Sequence, residues 1–193
     1  MMHIVLFGPP GAGKGTQAGL LKERLRFAYI ATGDLFRQHM KEQTELGRLA
    51  QTYIDRGDLV PDEVTIEMLK NEVNKFSGAP GIIFDGFPRT TVQAEALEKM
   101  LGENGEKIDL VLALEVPEDV LIQRILNRGK TSGRSDDTDR KTIIKRLKKY
   151  KEVTEPLKDY YRKKEVLHVI DGLQDIEAVH RDILQALEKT VGR

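Results

Sequence analysis

A phosphate group needs many hydrogen-bond donors at short range, and residues 8–16, Gly8-Pro9-Pro10-Gly11-Ala12-Gly13-Lys14-Gly15-Thr16, are of the types that supply them. A backbone with few side chains can turn its N–H groups inward around an anion, and Lys14 adds a point charge. The apolar run Met2–Phe7 leads into this stretch, and a helix-forming segment from about Gly15 to Arg26 leads out of it. Such a helix offers its unpaired N–H groups and the positive end of its dipole to the same phosphates. A glycine-rich loop can also be a plain tight turn; its place between strand and helix is what marks a nucleotide site. One departure is chemical: Gly15 stands where Ser or Thr usually follows the lysine, so direct hydroxyl ligation of Mg²⁺ is not expected there.

Asp85, just past the apolar run of Gly81–Phe84, is a second candidate. In a phosphate-loop protein a carboxylate there can hold Mg²⁺ or its water shell, against the plainer reading of a strand-terminal turn aspartate. Arg37, Arg89, Arg124, Arg128, Arg134 and Arg146 lie in or beside polar turns or on adjoining helix faces. Transfer of a phosphoryl group between two nucleotides gathers negative charge, which planar guanidinium forks neutralise and orient better than lysine does. Any one of them could be a simple surface arginine; Arg124 and Arg128, one helical turn apart, are the strongest pair. His3, His39, His168 and His180 lack metal-ligand spacing, and no side-chain set demands a nucleophilic mechanism.

These groups have to be positioned by regular elements. Short apolar runs at Met2–Phe7, Ala28–Ala31, Gly81–Phe84, Leu110–Glu115 and Val166–Ile170 are each followed by a polar turn and an amphipathic stretch. The alternation predicts α/β organisation, with parallel strands covered by helices. Helices are expected at Thr16–Arg26, Gly33–Lys41, Glu45–Arg56, Asp62–Phe76, Thr91–Leu101, Glu118–Arg128, Arg140–Lys163 and Ile176–Lys189. About fifty residues and three helices separate the second and third strands, more than one crossover requires, which suggests an insertion over a ligand. Gly129–Asp137 reads as a polar surface loop or small lid, too polar to pack. In the long Arg140–Lys163 stretch, Ile143, Ile144, Leu147, Tyr150 and Leu157 fall at helical spacing among charges of both signs, so a solvated charged face is expected, with Pro156 kinking or dividing it.

The length of 193 residues suits one domain. The 31 basic and 31 acidic residues cancel, so no overall field draws the chain to nucleic acid or an anionic membrane. Cysteine is absent, which removes disulfides and thiolate metal sites and fits a reducing compartment. No stretch approaches the roughly eighteen apolar residues of a membrane span. A soluble cytoplasmic protein is expected.

Read in order, GPPGAGKGTQ (Gly8–Gln17), ATGDLFR (Ala31–Arg37), DLVPDE (Asp58–Glu63), DGFPRT (Asp85–Thr90), Gln93, NRGKTSGRSDD (Asn127–Asp137) and IIKRL (Ile143–Leu147) make nearly the whole chain resemble the adenylate kinases, within the nucleoside monophosphate kinases. The resemblance implies a P-loop fold with a five-stranded parallel sheet, a monophosphate-binding insertion and a short lid. In one domain over 1–193, the core would be 1–31, 61–126 and 138–193, the insertion 32–60 and the lid 127–137. The implied reaction is reversible transfer from MgATP to AMP, giving two ADP, in adenine nucleotide homeostasis and AMP salvage. By the same resemblance Gly11, Ala12, Gly13, Lys14, Gly15 and Thr16 hold the ATP phosphates. Arg128 assists from the lid hinge, and Gln174 offers its backbone carbonyl to the ATP adenine. On the AMP side it assigns Thr32, Arg37, Asp58, Leu59, Val60, Gly86, Phe87, Pro88, Arg89 and Gln93. Arg134 and Arg146 would bridge the two nucleotides' phosphates, with Arg124 near the transferring group, and Asp136 and Asp137 would pair with arginines on closure. The catalytic set is then Lys14, Arg89, Arg124, Arg128, Arg134 and Arg146, with Asp85 on Mg²⁺ through water.

Thr32 and Gln93 favour AMP: related pyrimidine monophosphate kinases usually carry Ala in place of Thr32, and the amide of Gln93 can pair with an adenine edge. The short lid, with five residues between Arg128 and Arg134, and the lack of cysteine argue against the zinc found in long-lid relatives. A monomer is expected, since both insertions must swing. Two rivals stand at this point: a kinase for UMP, CMP or GMP, and a nucleotide-dependent switch. A switch has no use for the second cluster from Thr32 to Gln93.

Overall fold

Residues 1–192 are described in a computed structural model of the chain. β1 (Met2–Phe7) is apolar on both faces and buried from His3 onward, as a central strand of a parallel sheet must be. α1 (Lys14–Leu25) returns along the sheet to β2 (Ala28–Ala31). Three helices follow, α2 (Thr32–Lys41), α3 (Glu45–Ile54) and α4 (Asp62–Val73), before β3 (Gly81–Asp85). Then come α5 (Thr91–Gly102), β4 (Leu110–Glu115), α6 (Glu118–Ser132), α7 (Arg140–Lys149), α8 (Leu157–Lys163), β5 (Leu167–Asp171) and α9 (Ile176–Val191).

The strands pair in the order β2-β3-β1-β4-β5, all parallel. Strand order reverses at β1, and ligands in such sheets bind beyond the carboxyl ends of the strands at that switch. Two apolar layers hold the helices to the faces. One includes Leu21, Leu112, Ile125, Ile143 and Ile183, the other Phe84, Leu97, Leu101, Val111 and Tyr161. A third cluster of Phe36, Ala50, Val60 and Met68 gives the insertion between β2 and β3 its own core.

The structure revises three expectations. Asp85 is the last residue of β3, in register with Leu6 and Ala31, so the sheet itself aims it. α6 runs on through Gly129 to Ser132, and the segment beyond it is not too polar to pack: Asp136 and Asp137 are buried. The Arg140–Lys163 stretch is two helices with a π-helical turn, Tyr150–Thr154, between α7 and Pro156, and Ile144 is exposed while Ile143, Leu147, Tyr150 and Leu157 are buried.

Candidate active site

One cleft of about 1090 Å³ runs along the carboxyl ends of β1, β2 and β3. That exceeds the roughly 300–1,000 Å³ of an ordinary single-ligand pocket. At one end, Gly11, Ala12, Gly13, Lys14, Gly15 and Thr16 line it. Gly11 has φ +82°, and a Cβ there would lie 2.8 Å from Ile125, so only glycine lets the loop sit this close to α6. No side chain caps the start of α1, so its first N–H groups stay available to an anion.

Lys14 Nζ donates to the carbonyls of Gly8 (2.9 Å) and Pro9 (3.1 Å), which folds the side chain over the loop. Burial lowers its pKa to about 8 against the pull of neighbouring Asp85, with Arg89, Arg128 and Arg146 adding to the fall. An anion in the loop would reverse that balance. Asp85 Oδ2 accepts a hydrogen bond from Tyr29 (3.0 Å) and lies 3.9 Å from where a Gly15 Cβ would stand. Burial and Asp85 push the Tyr29 hydroxyl's pKa upward, so Tyr29 remains a donor. Among the described residues no group of three or more His, Cys, Asp or Glu converges as a metal cage. A single hard carboxylate beside a phosphate loop suits Mg²⁺, which keeps most of its waters and takes its remaining ligands from phosphates.

At the other end, Thr32 Oγ1 and Arg89 Nε both donate to the Gly86 carbonyl, at 2.9 and 2.7 Å. Arg37, Asp58, Leu59, Val60, Pro88 and Gln93 line the cleft beside them. Phe87 does not: it is 1% exposed in the core under β3, so any part it takes in binding falls to its backbone. Arg89 is held along its length, with Thr154 Oγ1 donating to its carbonyl at 2.9 Å from the π-helical turn. Burial, with Arg146 nearby, lowers the pKa of its guanidinium.

Arginines fill the space between the two ends. Arg124 donates through both terminal nitrogens to the Gly172 carbonyl (3.1 and 3.2 Å), in the turn that also brings Gln174 to the cleft. Asp137 accepts from Arg128 Nε (2.6 Å) and Nη2 (2.9 Å) and from Arg146 Nη1 (2.7 Å). Burial would raise its pKa, but these hydrogen bonds outweigh burial and hold it below the usual carboxylate range. Arg146 also meets Asp136 at 3.1 Å. Arg134 meets Asp34 at 3.4 Å, and Asp34 also pairs with Arg37. Ser135 donates to Asp55 (2.6 Å), and Lys145 Nζ lies 2.8 Å from Asp58. The segment after α6, together with α7, therefore touches the insertion and roofs the cleft.

The solvated-face reading of the Arg140–Lys163 charges needs correction at Arg146 and Lys145, which are engaged, and at Lys149, which lines the cleft. Sequence reasoning also missed Tyr29, Asp34, Asp62 and Thr154. Tyr29, Asp62 and Thr154 have partners far along the chain, and so does Asp34 in its contact with Arg134, though Asp34 also pairs locally with Arg37.

A phosphate loop opening α1, a carboxylate ending β3 and a second pocket across a band of arginines define the class: a phosphate-loop phosphotransferase that acts between two nucleotides. Comparison with known sequences narrows it. The profile of the adenylate kinase family matches residues 6–166. Proteins named adenylate kinase are similar over nearly full length: that of Porphyromonas gingivalis is 49% identical over 98% of this chain and 97% of its own. Those of Flavobacterium psychrophilum and Bacteroides thetaiotaomicron are each 47% identical, over 97% and 98% of this chain and 98% and 100% of their own. The chain belongs to the adenylate kinase family.

Proposed function

We propose that this adenylate kinase, an ATP:AMP phosphotransferase that reversibly converts ATP and AMP to two ADP, works as follows. ATP lies with its phosphates in the 11–16 loop and AMP lies between Thr32 and Gln93. One observation carries the arrangement: a single cleft has the phosphate loop at one end, a second polar pocket at the other, and the guanidinium groups of Arg89, Arg124, Arg128, Arg134 and Arg146 along it.

Lys14 and the first N–H groups of α1 grip the donor phosphates, and Gln174 lies at the donor base. Arg37 and Arg89 hold the acceptor phosphate, with Asp58, Leu59, Val60, Gly86 and Pro88 shaping its pocket. Arg128, Arg134 and Arg146 spread the charge that develops between the two phosphates. Catalysis is alignment and charge stabilisation, because phosphoryl transfer asks for no covalent intermediate. Mg²⁺, held by the phosphates and through water by Asp85, neutralises charge on the phosphate oxygens when bound. Water is the competing acceptor. Contacts such as Arg134–Asp34 and Ser135–Asp55 close residues 127–137 over residues 32–60 and keep it out.

No described helix is long and apolar enough to cross a membrane. We place the enzyme in the cytoplasm as a monomer without structural zinc or nucleic-acid partner, serving adenine nucleotide homeostasis and AMP salvage.

Arg89→Ala tests the acceptor side. Losing a charge-assisted contact to phosphate should raise the KM for AMP roughly ten- to a hundredfold. The KM for MgATP should move far less in steady-state kinetics with each substrate varied in turn. An unchanged dependence on AMP contradicts the assignment.

A further inference from the structure

Gln93 is 2% exposed, and its amide is held at both ends. Its Oε1 accepts the backbone N–H of Arg89 at 2.8 Å, and its Nε2 donates to Asp62 Oδ1 at 2.8 Å. A backbone N–H can only donate and a carboxylate can only accept, so the amide has one permitted orientation. Asp62, the first residue of α4, is itself fixed by Thr90 Oγ1, which donates to the same oxygen at 3.0 Å and caps α5 by accepting the N–H of Gln93 at 3.2 Å. Gln93 lines the cleft and Asp62 does not, so Asp62 can act on a bound base only through Gln93. One N–H and one oxygen lone pair of the amide are left over for a ligand.

We infer that Asp62 sets the base preference of the monophosphate site by locking the Gln93 amide in the orientation that pairs with a 6-aminopurine and rejects a 6-oxopurine. The inference rests on the reading above, in which Gln93 faces the acceptor base. The two bases differ in the pattern they present. A 6-aminopurine accepts at N1 and donates from its amino group; a 6-oxopurine donates from N1 and accepts at O6. A freely turning amide pairs with either. A locked one meets the wrong base donor against donor and oxygen against oxygen, the kind of unpaired contact that gives strong discrimination. Asp62 is a positioning residue in this account.

Asp62→Asn keeps the shape but introduces a group that can donate as well as accept, so Gln93 can turn over. Arg89 N–H still favours the original orientation, so the preference should weaken rather than vanish. The test compares kcat/KM for AMP and for inosine 5′-monophosphate, with saturating MgATP and products resolved by chromatography. The AMP-to-inosine-monophosphate ratio is expected to fall about fivefold or more, the worth of roughly one hydrogen bond, chiefly by a gain on inosine monophosphate. Asp62→Ala, which removes the acceptor altogether, is measured beside it and carries the test alone if D62N does not fold. A ratio unchanged from wild type, or a parallel loss on both substrates, overturns the inference, since a merely structural role would lower both together. Gln93→Leu separates the two layers. If Q93L lowers the ratio and the Asp62 variants do not, the lock fails and the reading of Gln93 stands. If Q93L leaves the ratio unchanged, Gln93 does not read the base and both fail.

Discussion

Lys14→Met should remove nearly all phosphoryl transfer while leaving the fold intact. The side chain reaches from the start of α1 back over the loop to the Gly8 and Pro9 carbonyls, at the site assigned to the ATP phosphates. Methionine keeps the length and loses the charge. Loss of one preorganised donor at a site of developing charge costs on the order of a hundred- to a thousandfold in turnover. Stability should move the other way or not at all. Burial holds the folded-state pKa of Lys14 at about 8, against 10.5 as its ordinary value. Below about pH 8 both folded and unfolded chains carry the proton, and the folded state bears the full cost of a desolvated charge. Between about pH 8 and 10.5 the folded state releases the proton first, and that cost fades. At neutral pH the substitution therefore removes a cost, and the melting temperature should match or exceed that of the wild type. A loss of activity accompanied by a comparable loss of thermal stability contradicts the assignment.

Asp137→Asn should give the largest loss of stability at the site. The carboxylate is 0% exposed and receives three hydrogen bonds from Arg128 and Arg146. Neutralising it leaves two guanidinium groups facing each other, with Asp136 as the remaining partner of Arg146. Breaking a fully buried pair costs about 3–5 kcal/mol; because Arg128 is about a third exposed, solvent screening brings the expectation to about 2–3 kcal/mol. For a chain of this size that is a fall of roughly 5–10 °C in melting temperature. Bound nucleotide should recover more stability in the variant than in the wild type, because phosphates return the missing negative charge. Differential scanning fluorimetry with and without ATP plus AMP reads both effects. An unchanged melting temperature, or an equal nucleotide shift in both proteins, argues against Asp137 as the counter-charge.

The strands and most helices were legible because their signals are local. Met2–Phe7 running into a glycine-rich loop and then a helix permits little else, and the alternation of apolar runs with amphipathic stretches carried the parallel sheet. α5 and α9 begin at Thr91 and Ile176 as expected, with Thr90 and Asp175 capping them. The course of residues 129–137 was not legible. Gly129 reads as a breaker, yet α6 continues through it. A Cβ there would lie 2.5 Å from the Asp137 carbonyl, so this glycine serves a close approach of backbone rather than a bend. The polarity of their neighbours in sequence hides the burial of Asp136 and Asp137; only the resemblance implied that they pair with arginines, and arginines arriving from α6 and α7 bury them. At the site, the residues that the motifs assigned to phosphate or base line the cleft, except Phe87, which packs in the core. The residues that hold them were hidden, since Tyr29 looks like strand filling and Asp62 like an ordinary acidic residue in a first helical turn.

The central claim, transfer between an ATP site and an AMP site in one cleft, is tested most directly by incubating the protein with MgATP and each of AMP, GMP, UMP and CMP in turn and separating the nucleotides. Rapid formation of ADP with AMP alone, and of ATP and AMP from ADP alone, is the predicted result. Rapid transfer to another monophosphate in preference to AMP contradicts the roles given to Thr32 and Gln93. Slow release of phosphate from ATP, indifferent to all four acceptors, contradicts the two-site account itself.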